Sequence, residues 1–292
     1  MSNEVDKIIK EFKPNYGLNL ELEKEHQKGD EWIFGATGLT CLAENIPEAE
    51  RGSYLPAGEV QRGREDMFDC ASRGPINILE TKFNWLLKNK KLSFENEYWL
   101  RENGYVDDGV RFSDAFVAIN SSTTRQGNSM KAPLDAIRKQ GLIPKKTLPL
   151  ETDMTWDDYH NPARITGGMI QMGQEFLKRF VINYEKVLET DFGNLLKKDL
   201  LNVGGYAWPP PINGEYPRTD NQPNHVFIAY KNPKYFIFDN YLDPVDGDYT
   251  KKLTSNYDLM DYGYRLLINK EIVNPKKTFW QMIILYLKEL WK

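Results

Sequence analysis

From residue 70 onward the apolar residues Ile76, Leu79, Phe83, Leu86 and Leu87 fall three or four positions apart, the spacing that aligns one face of an α-helix. This is the strongest helical signal in the chain. A second helix is predicted in "SMKAPLDAIRKQGLIP", with Leu134, Ala136 and Ile137 inward, Gly141 at the C-terminal cap and Pro144 beyond it, the usual order of stop signals. "TGGMIQMGQEFLKRFVINYEKVLETDFGNLLKKDLLN" reads as helical for most of its length. The period then changes. "NHVFIAY" and "KYFIFDNY" are short, aromatic and β-branched, with "KNP" between them, which predicts an antiparallel hairpin. "YGYRLLI" predicts a further strand. Helices in the first two thirds and strands in the last third give an α+β fold class.

The two ends follow other patterns. Residues 1 to about 60 hold a short apolar cluster (Ile8, Ile9, Phe12) and then loop signals such as "KPNYG", "FGATG" and "ENIPEAERGSYLPAGE", which suit an arm laid over a core. "TFWQMIILYLKELWK" sets Trp280, Ile283, Ile284, Leu287, Leu290 and Trp291 on roughly one side of a helix. It is shorter than the about 20 apolar residues of a bilayer span, so no transmembrane segment is expected. Packing on its own domain explains this helix, and docking to a partner or membrane surface is the alternative. No internal repeat or low-complexity tract is evident.

With 292 residues, 40% of them apolar and 13% aromatic, the chain can bury a substantial core. The formal net charge of −4 and the scattered Lys and Arg give no footprint for a phosphate backbone, and nucleic acid is not an expected partner. The N-terminus lacks the apolar run of a secretory signal. Cys41 and Cys70 are the two cysteines and read as reduced thiols, so a cytoplasmic location is expected. Cys41, with no histidine or helix start nearby, reads as a buried core residue.

A cysteine nucleophile needs a base, a group that fixes the imidazole, and an oxyanion donor. The histidines are His26, His160 and His225. His26 in "LEKEHQKGDE" and His160 in "WDDYHNP" read as surface residues. His225 opens an apolar strand, and the hairpin turn brings Asp239 or Asn240 of "KYFIFDNY" close to it. One of them can hold the imidazole NH and set its tautomer. Strand alternation lets one of the pair face His225.

The order Cys70, His225, then Asp239 or Asn240, with a helix after the cysteine and a hairpin for the others, resembles the papain-like cysteine peptidases. "GNSMKAPLDAIRKQGLIPKKTLPL" is similar to the family's helix that ends in a turn toward the substrate cleft. "LLKKDLLNVGGYAWPPPINGEYPRTDNQPNHVFIAY" is similar to the run from a helix through the first barrel strand to the catalytic histidine. More narrowly, "LPAGEVQ…FDC" resembles papain-like proteins of tailed bacteriophages, and by that likeness Gln61 is the side-chain donor of the oxyanion hole. The resemblance implies a two-lobed fold: a helical lobe with a central Cys-bearing helix, an antiparallel β-barrel-like lobe, and a cleft between them. The likeness covers roughly residues 58 to 268, which sets a papain-like domain (58–270) between an N-terminal arm (1–57) and a C-terminal amphipathic helix (271–292) that the likeness does not explain.

The implied activity is hydrolysis of peptide bonds by a thiol protease. Cys70 is then the nucleophile, His225 the base, Asp239 the orienting residue with Asn240 as the alternative, and Gln61 the oxyanion donor. A peptide or protein is the expected substrate. One alternative stays within enzymes, a cell-wall peptide hydrolase, and the other is an inactive structural protein of a virion whose partners bind through residues 1–57 and 276–292. For a phage protein the location is host cytoplasm or virion. Three positions depart from the pattern. Arg64 stands six residues before the cysteine, where papain has its glutamine, and Gly74 and Pro75 require a helix that starts late, near Ser72 to Pro75, or is kinked there.

Other features predict no cofactor and no metal. "DPVDGDYTK" (243–251) lacks the ligand spacing of a calcium loop. Gly204 and Gly205 lack the strand, glycine and helix context of a phosphate loop. "WPPPINGEYP" reads as a loop between strands or a short polyproline segment.

Overall fold

The helix that begins at Cys70 lies at the centre of the molecule. A computed structural model describes residues 17–27, 32–35, 38, 40–58, 60–219, 221–231, 235–242 and 247–272. Its helices are α1 (Leu20–His26), α2 (Cys70–Lys88), α3 (Phe94–Glu102), α4 (Asp114–Asn120), α5 (Lys131–Gln140), α6 (Trp156–Tyr159), α7 (Gly167–Leu177) and α8 (Glu189–Leu196). The strands are β1 (Phe180–Leu188), β2 (Leu201–Gly205), β3 (His225–Lys231), β4 (Phe236–Phe238), β5 (Thr250–Lys252) and β6 (Leu259–Glu271).

Of the 19 residues of α2, all but Asn84, Trp85 and Lys88 are buried. The apolar spacing marks one face, and the remaining faces carry polar groups paired inside the protein. Lys82 Nζ lies 2.6 Å from Asp199 and Arg73 Nε 2.8 Å from Asp69. Glu80 accepts from the backbone N–H of Phe112 at 2.7 Å. Burial without such partners would cost several kcal/mol per charge.

The helix starts at Cys70 and contains Pro75, so of the two expected arrangements the late start is not the one adopted. Pro75 removes the N–H that would bond to Ala71, at a typical cost of about 3 kcal/mol. The glycine before it has a packing reason. A Cβ on Gly74 would stand 2.2 Å from Asn202 Oδ1 and 3.1 Å from Val226 Cγ1, so its absence lets α2 lie directly against β2 and β3.

The six strands form one antiparallel sheet in the order β1-β6-β2-β3-β4-β5. It is an open sheet, not the barrel-like lobe expected from the sequence: β1 and β5 are its edges and do not pair with each other. The long helical stretch read from 166 to 202 is also corrected. α7 ends at Leu177, β1 occupies Phe180–Leu188 and α8 follows. "FVINYEKVL" has the near-alternating burial of a strand and pairs along its length with β6, a long-range partner that outweighs local helical spacing. The other predicted helix and the hairpin form as read: α5 ends at Gly141 with φ 77°, and β3 pairs antiparallel with β4.

Residues 41–57 feed the same core. Cys41, Ala43, Ile46 and Tyr54 are buried in it, and fully buried Arg51 donates to the carbonyls of Ile46, Leu196 and Tyr230. Cys41 and Cys70 are both free and buried. The cluster Ile8, Ile9 and Phe12, the helix read over 276–292 and residues 243–246 of "DPVDGDYTK" lie outside the described residues. No helix among the described residues is long and apolar enough to cross a membrane.

Candidate active site

In the hairpin, Ile228 stands opposite Phe238 and Ala229 opposite Ile237. Extending that register sets His225 and Asp239 diagonally on one face and Asn240 on the other. The side chains follow it. His225 Nε2 and Asp239 Oδ1 are 2.5 Å apart and both residues are fully buried at the side chain, whereas Asn240 Oδ1 accepts from Asn77 on α2 at 2.9 Å. Of the two orienting residues left open by the sequence, Asp239 is the one that touches His225.

Three further groups hold the Asp239 carboxylate. Trp208 Nε1 donates to Oδ2 at 2.9 Å, Lys251 Nζ is 3.2 Å from it, and the Asn240 N–H reaches Oδ1 at 2.7 Å. Burial works against ionisation of Asp239, yet the charges of His225 and then Lys251 hold its carboxyl below the ordinary value. The Trp208 ring lies 5.8 Å from His225, nearly edge-on.

Cys70 is the first residue of α2, where the helix dipole favours a negative charge. It is 1% exposed, and its thiol receives a hydrogen bond from the backbone of Val226, next to His225. Burial pushes the thiol well above its ordinary value; the Val226 bond opposes this, and Asp69, Asp239 and Asp66 add to it. Asp69 does not cap the helix with its side chain. Its carboxylate is turned to Arg73 and to Tyr159 Oη, 2.6 Å away.

Gln61 is fully buried. Its amide nitrogen donates to Tyr241 Oη at 2.7 Å and to Asp66 Oδ1 at 3.2 Å, so both amide hydrogens are engaged. Tyr241 in turn donates to Asp66, and its ring stands 5.4 Å from His225. Arg64 is exposed and takes no part. Phe68 adopts a φ of 52° with its N–H on Asp66 Oδ1 at 2.9 Å, a conformation that costs a bulky residue about 1–3 kcal/mol.

No family model and no curated protein matches the sequence. Solved structures do. The chain is similar to the ragweed pollen cysteine protease Amb a 11 in its proform, with a TM-score of 0.52 at 12% identity over 90% of this chain and 72% of that one. A mite allergen of the Blo t 1 and Der p 1 pair gives 0.51 at 10% identity over 86% and 78%. The clostridial cysteine protease Cwp84 after propeptide cleavage gives 0.50 at 10% identity over 77% and 57%. The chain has the papain-like fold.

Within that papain-like fold, a backbone segment before α1 crosses the site. Leu18 N donates to Asn224 O at 3.2 Å, beside His225. Asn19 N donates to Asn128 O and Asn128 N to Gly17 O, each at 2.9 Å. Gly17 has φ 104°, and a Cβ there would stand 2.4 Å from Phe68 O, two residues before Cys70. The crossing is anchored by buried Glu23, whose carboxylate accepts from Met130 N and from Tyr262 Oη. Residues 17 and 18 therefore abut sequence neighbours of both Cys70 and His225.

Sequence reasoning missed this crossing, and it missed Trp208, Lys251 and Asp66. Trp208 and Lys251 reach the site through long-range packing that no local pattern encodes, and Asp66, close to Cys70 in sequence, is tied to the strand side through Tyr241. His160 is a correction: read as a surface residue, it is 7% exposed, with its ring stacked 4.1 Å from Trp156 and burial holding its imidazole below the ordinary value. Its polar neighbours in sequence conceal that the adjacent Tyr159 is bonded to buried Asp69. His26 is half-buried, with Nδ1 2.6 Å from Ser129 Oγ.

Proposed function

We propose that the protein is a cysteine-type hydrolase of peptide bonds, with Cys70 as nucleophile, His225 as base and Asp239 as the residue that orients it. The observation that carries this reading is the His225–Asp239 pair on one face of the hairpin, with the Cys70 thiol bonded to the residue next to His225. Because Nε2 is engaged by Asp239, Nδ1 is the nitrogen that takes the proton from Cys70 Sγ. The thiolate attacks the substrate carbonyl carbon, His225 returns the proton to the leaving amine as the C–N bond breaks, and water releases the acyl group. Backbone N–H groups at the start of α2 face the developing oxyanion. Gln61 joins them once its amide exchanges Tyr241 or Asp66 for the substrate oxygen.

The described form is the latent one. Cys70 and His225 are buried, and residues 17 and 18 lie against chain neighbours of both. Two neighbours described as a proform and as a protease after propeptide cleavage support a removable N-terminal cover, and the division into an arm (1–57), a papain-like domain (58–270) and a C-terminal helix (271–292) fits that role. A second reading is favoured by the raised thiol of Cys70: the same fold without turnover, serving as a structural protein. The phage and virion association of either reading rests on "LPAGEVQ…FDC" alone, as does a cell-wall peptide substrate.

The test is hydrolysis of a mixed peptide library by the full chain, read by mass spectrometry, for wild type, Cys70→Ala and His225→Ala. Cleavage by wild type once limited proteolysis has removed the arm, and by neither variant after the same treatment, is expected. Cleavage that survives in either variant sinks the mechanism, and none in wild type after limited proteolysis of the arm favours the structural reading.

A further inference from the structure

Lys251 is a buried cation that the mechanism above leaves unused. β5 pairs with β4 so that Lys251 lies opposite Ile237 and Thr250 opposite Phe238. Lys251 is 3% exposed. Its Nζ is 3.2 Å from Asp239 Oδ2, donates to the carbonyl of Tyr241 and lies 5.4 Å from the centroid of the Trp208 ring. Burying an ammonium costs several kcal/mol unless a charge offsets it, and here the offsetting charge is the carboxylate that holds His225.

Charge counting supplies a reason for the arrangement. When the Cys70 proton moves to His225, the buried group holds a thiolate, an imidazolium and the Asp239 carboxylate, which leaves one uncompensated negative charge. An asparagine in the orienting position would leave none. The other acidic groups at this cluster, Asp69 and Asp66, also push the Cys70 thiol up, and their partners are separate from Lys251. Asp69 pairs with Arg73, Asp66 accepts from Gln61 and Tyr241, and burial keeps the hydroxyls of Tyr257 and Tyr241 protonated.

We propose that Lys251 is a positioning residue that cancels the charge of Asp239, so that the carboxylate orients His225 without adding net negative charge to the field at Cys70. The inference rests on the assignment of Cys70 and His225 as nucleophile and base. Together, Asp239 and Lys251 do what a neutral amide could do alone, and they pin the imidazole with a charged acceptor.

The experiment measures the rate of Cys70 alkylation by iodoacetamide against pH in the full chain, with Cys41→Ala in every protein. Lys251→Met is expected to move the midpoint of reactivity up by about one pH unit, and Asp239→Asn to move it down, the directions that losing a positive and a negative charge near a titrating thiol impose. The double variant should return to the wild-type midpoint, and Lys251→Arg should keep it. A Lys251 that merely props up the fold lowers the melting temperature of Lys251→Met and leaves the midpoint in place, which overturns the proposal. A double variant no nearer to wild type than either single one also overturns it. Should Lys251→Met fail to fold, the double variant, with no buried charge unpaired, is still expected to fold with the wild-type midpoint. A wild-type midpoint that His225→Ala does not change rejects the nucleophile and base reading, while the Lys251 shifts remain readable in the same curves. A thiol that the reagent reaches at no pH overturns both.

Discussion

On the sheet side of the site, His225 is fixed by a carboxylate that is itself held by Trp208, Lys251 and a backbone N–H. On the helix side, Cys70 sits at a favourable helix start but burial, with a smaller addition from Asp69, Asp239 and Asp66, pushes its thiol up, and Gln61 is committed to Tyr241 and Asp66. On the proposed assignment, the base half is assembled in advance and the nucleophile half is masked. The contrast suggests that activity is controlled by access and solvation at α2 and not by building the base, because an imidazole held by strands keeps its geometry while a thiol can be activated by uncovering it.

The comparison breaks most visibly at its two reacting groups. His225→Ala should lower turnover by about 10³-fold or more, the scale of losing a member of a catalytic set. The next effect has the opposite sign. Gly17→Val places a Cβ against Phe68 O on a backbone with φ 104°, and a destabilisation of the crossing segment by about 1–3 kcal/mol should raise peptide cleavage by about 5- to 100-fold. Unchanged cleavage would show that residues 17–19 do not limit access.

Smaller effects sharpen the distinction between the hairpin's two faces. Asn240→Ala removes the bond to Asn77 and should cost about 1 kcal/mol in denaturant unfolding with turnover retained, in contrast to His225→Ala. A subtler change lies in α2. Burial raises Glu80 to about 8 from an ordinary 4.5, against Arg111. Between those values the folded protein keeps a proton that the unfolded chain has released, so stability falls as pH rises through that window. Glu80→Gln should flatten the fall of melting temperature between pH 5 and 8; an identical slope in the variant would assign the pH dependence elsewhere.

Much of the site was legible because it depends on short-range periodicities. The spacing after Cys70 predicted α2, glycine and proline predicted the end of α5, and the alternation in the hairpin reduced the partner of His225 to two candidates. β1 was not legible, since "FVINYEKVL" follows a true helix and declares itself as a strand only through pairing with β6. Closure into a barrel was expected from resemblance, and the edge strands β1 and β5 remain apart. Lys251, Trp208 and Gly17 meet the site across long stretches of chain, and a local pattern does not record such meetings. Gly74 looked like a helix defect because its reason, the close approach of Asn202 on β2, is distant in sequence.

The most direct test of a masked nucleophile is the alkylation rate of Cys70 at pH 6, below the ordinary thiol range of about 8.5, in full-length Gly17→Val and in wild type, each with and without His225→Ala. Fast reaction in Gly17→Val, slow reaction in wild type and loss of the gain without His225 are predicted. Equal slow rates in all four proteins would contradict it and make Cys70 a core residue of a papain-like scaffold.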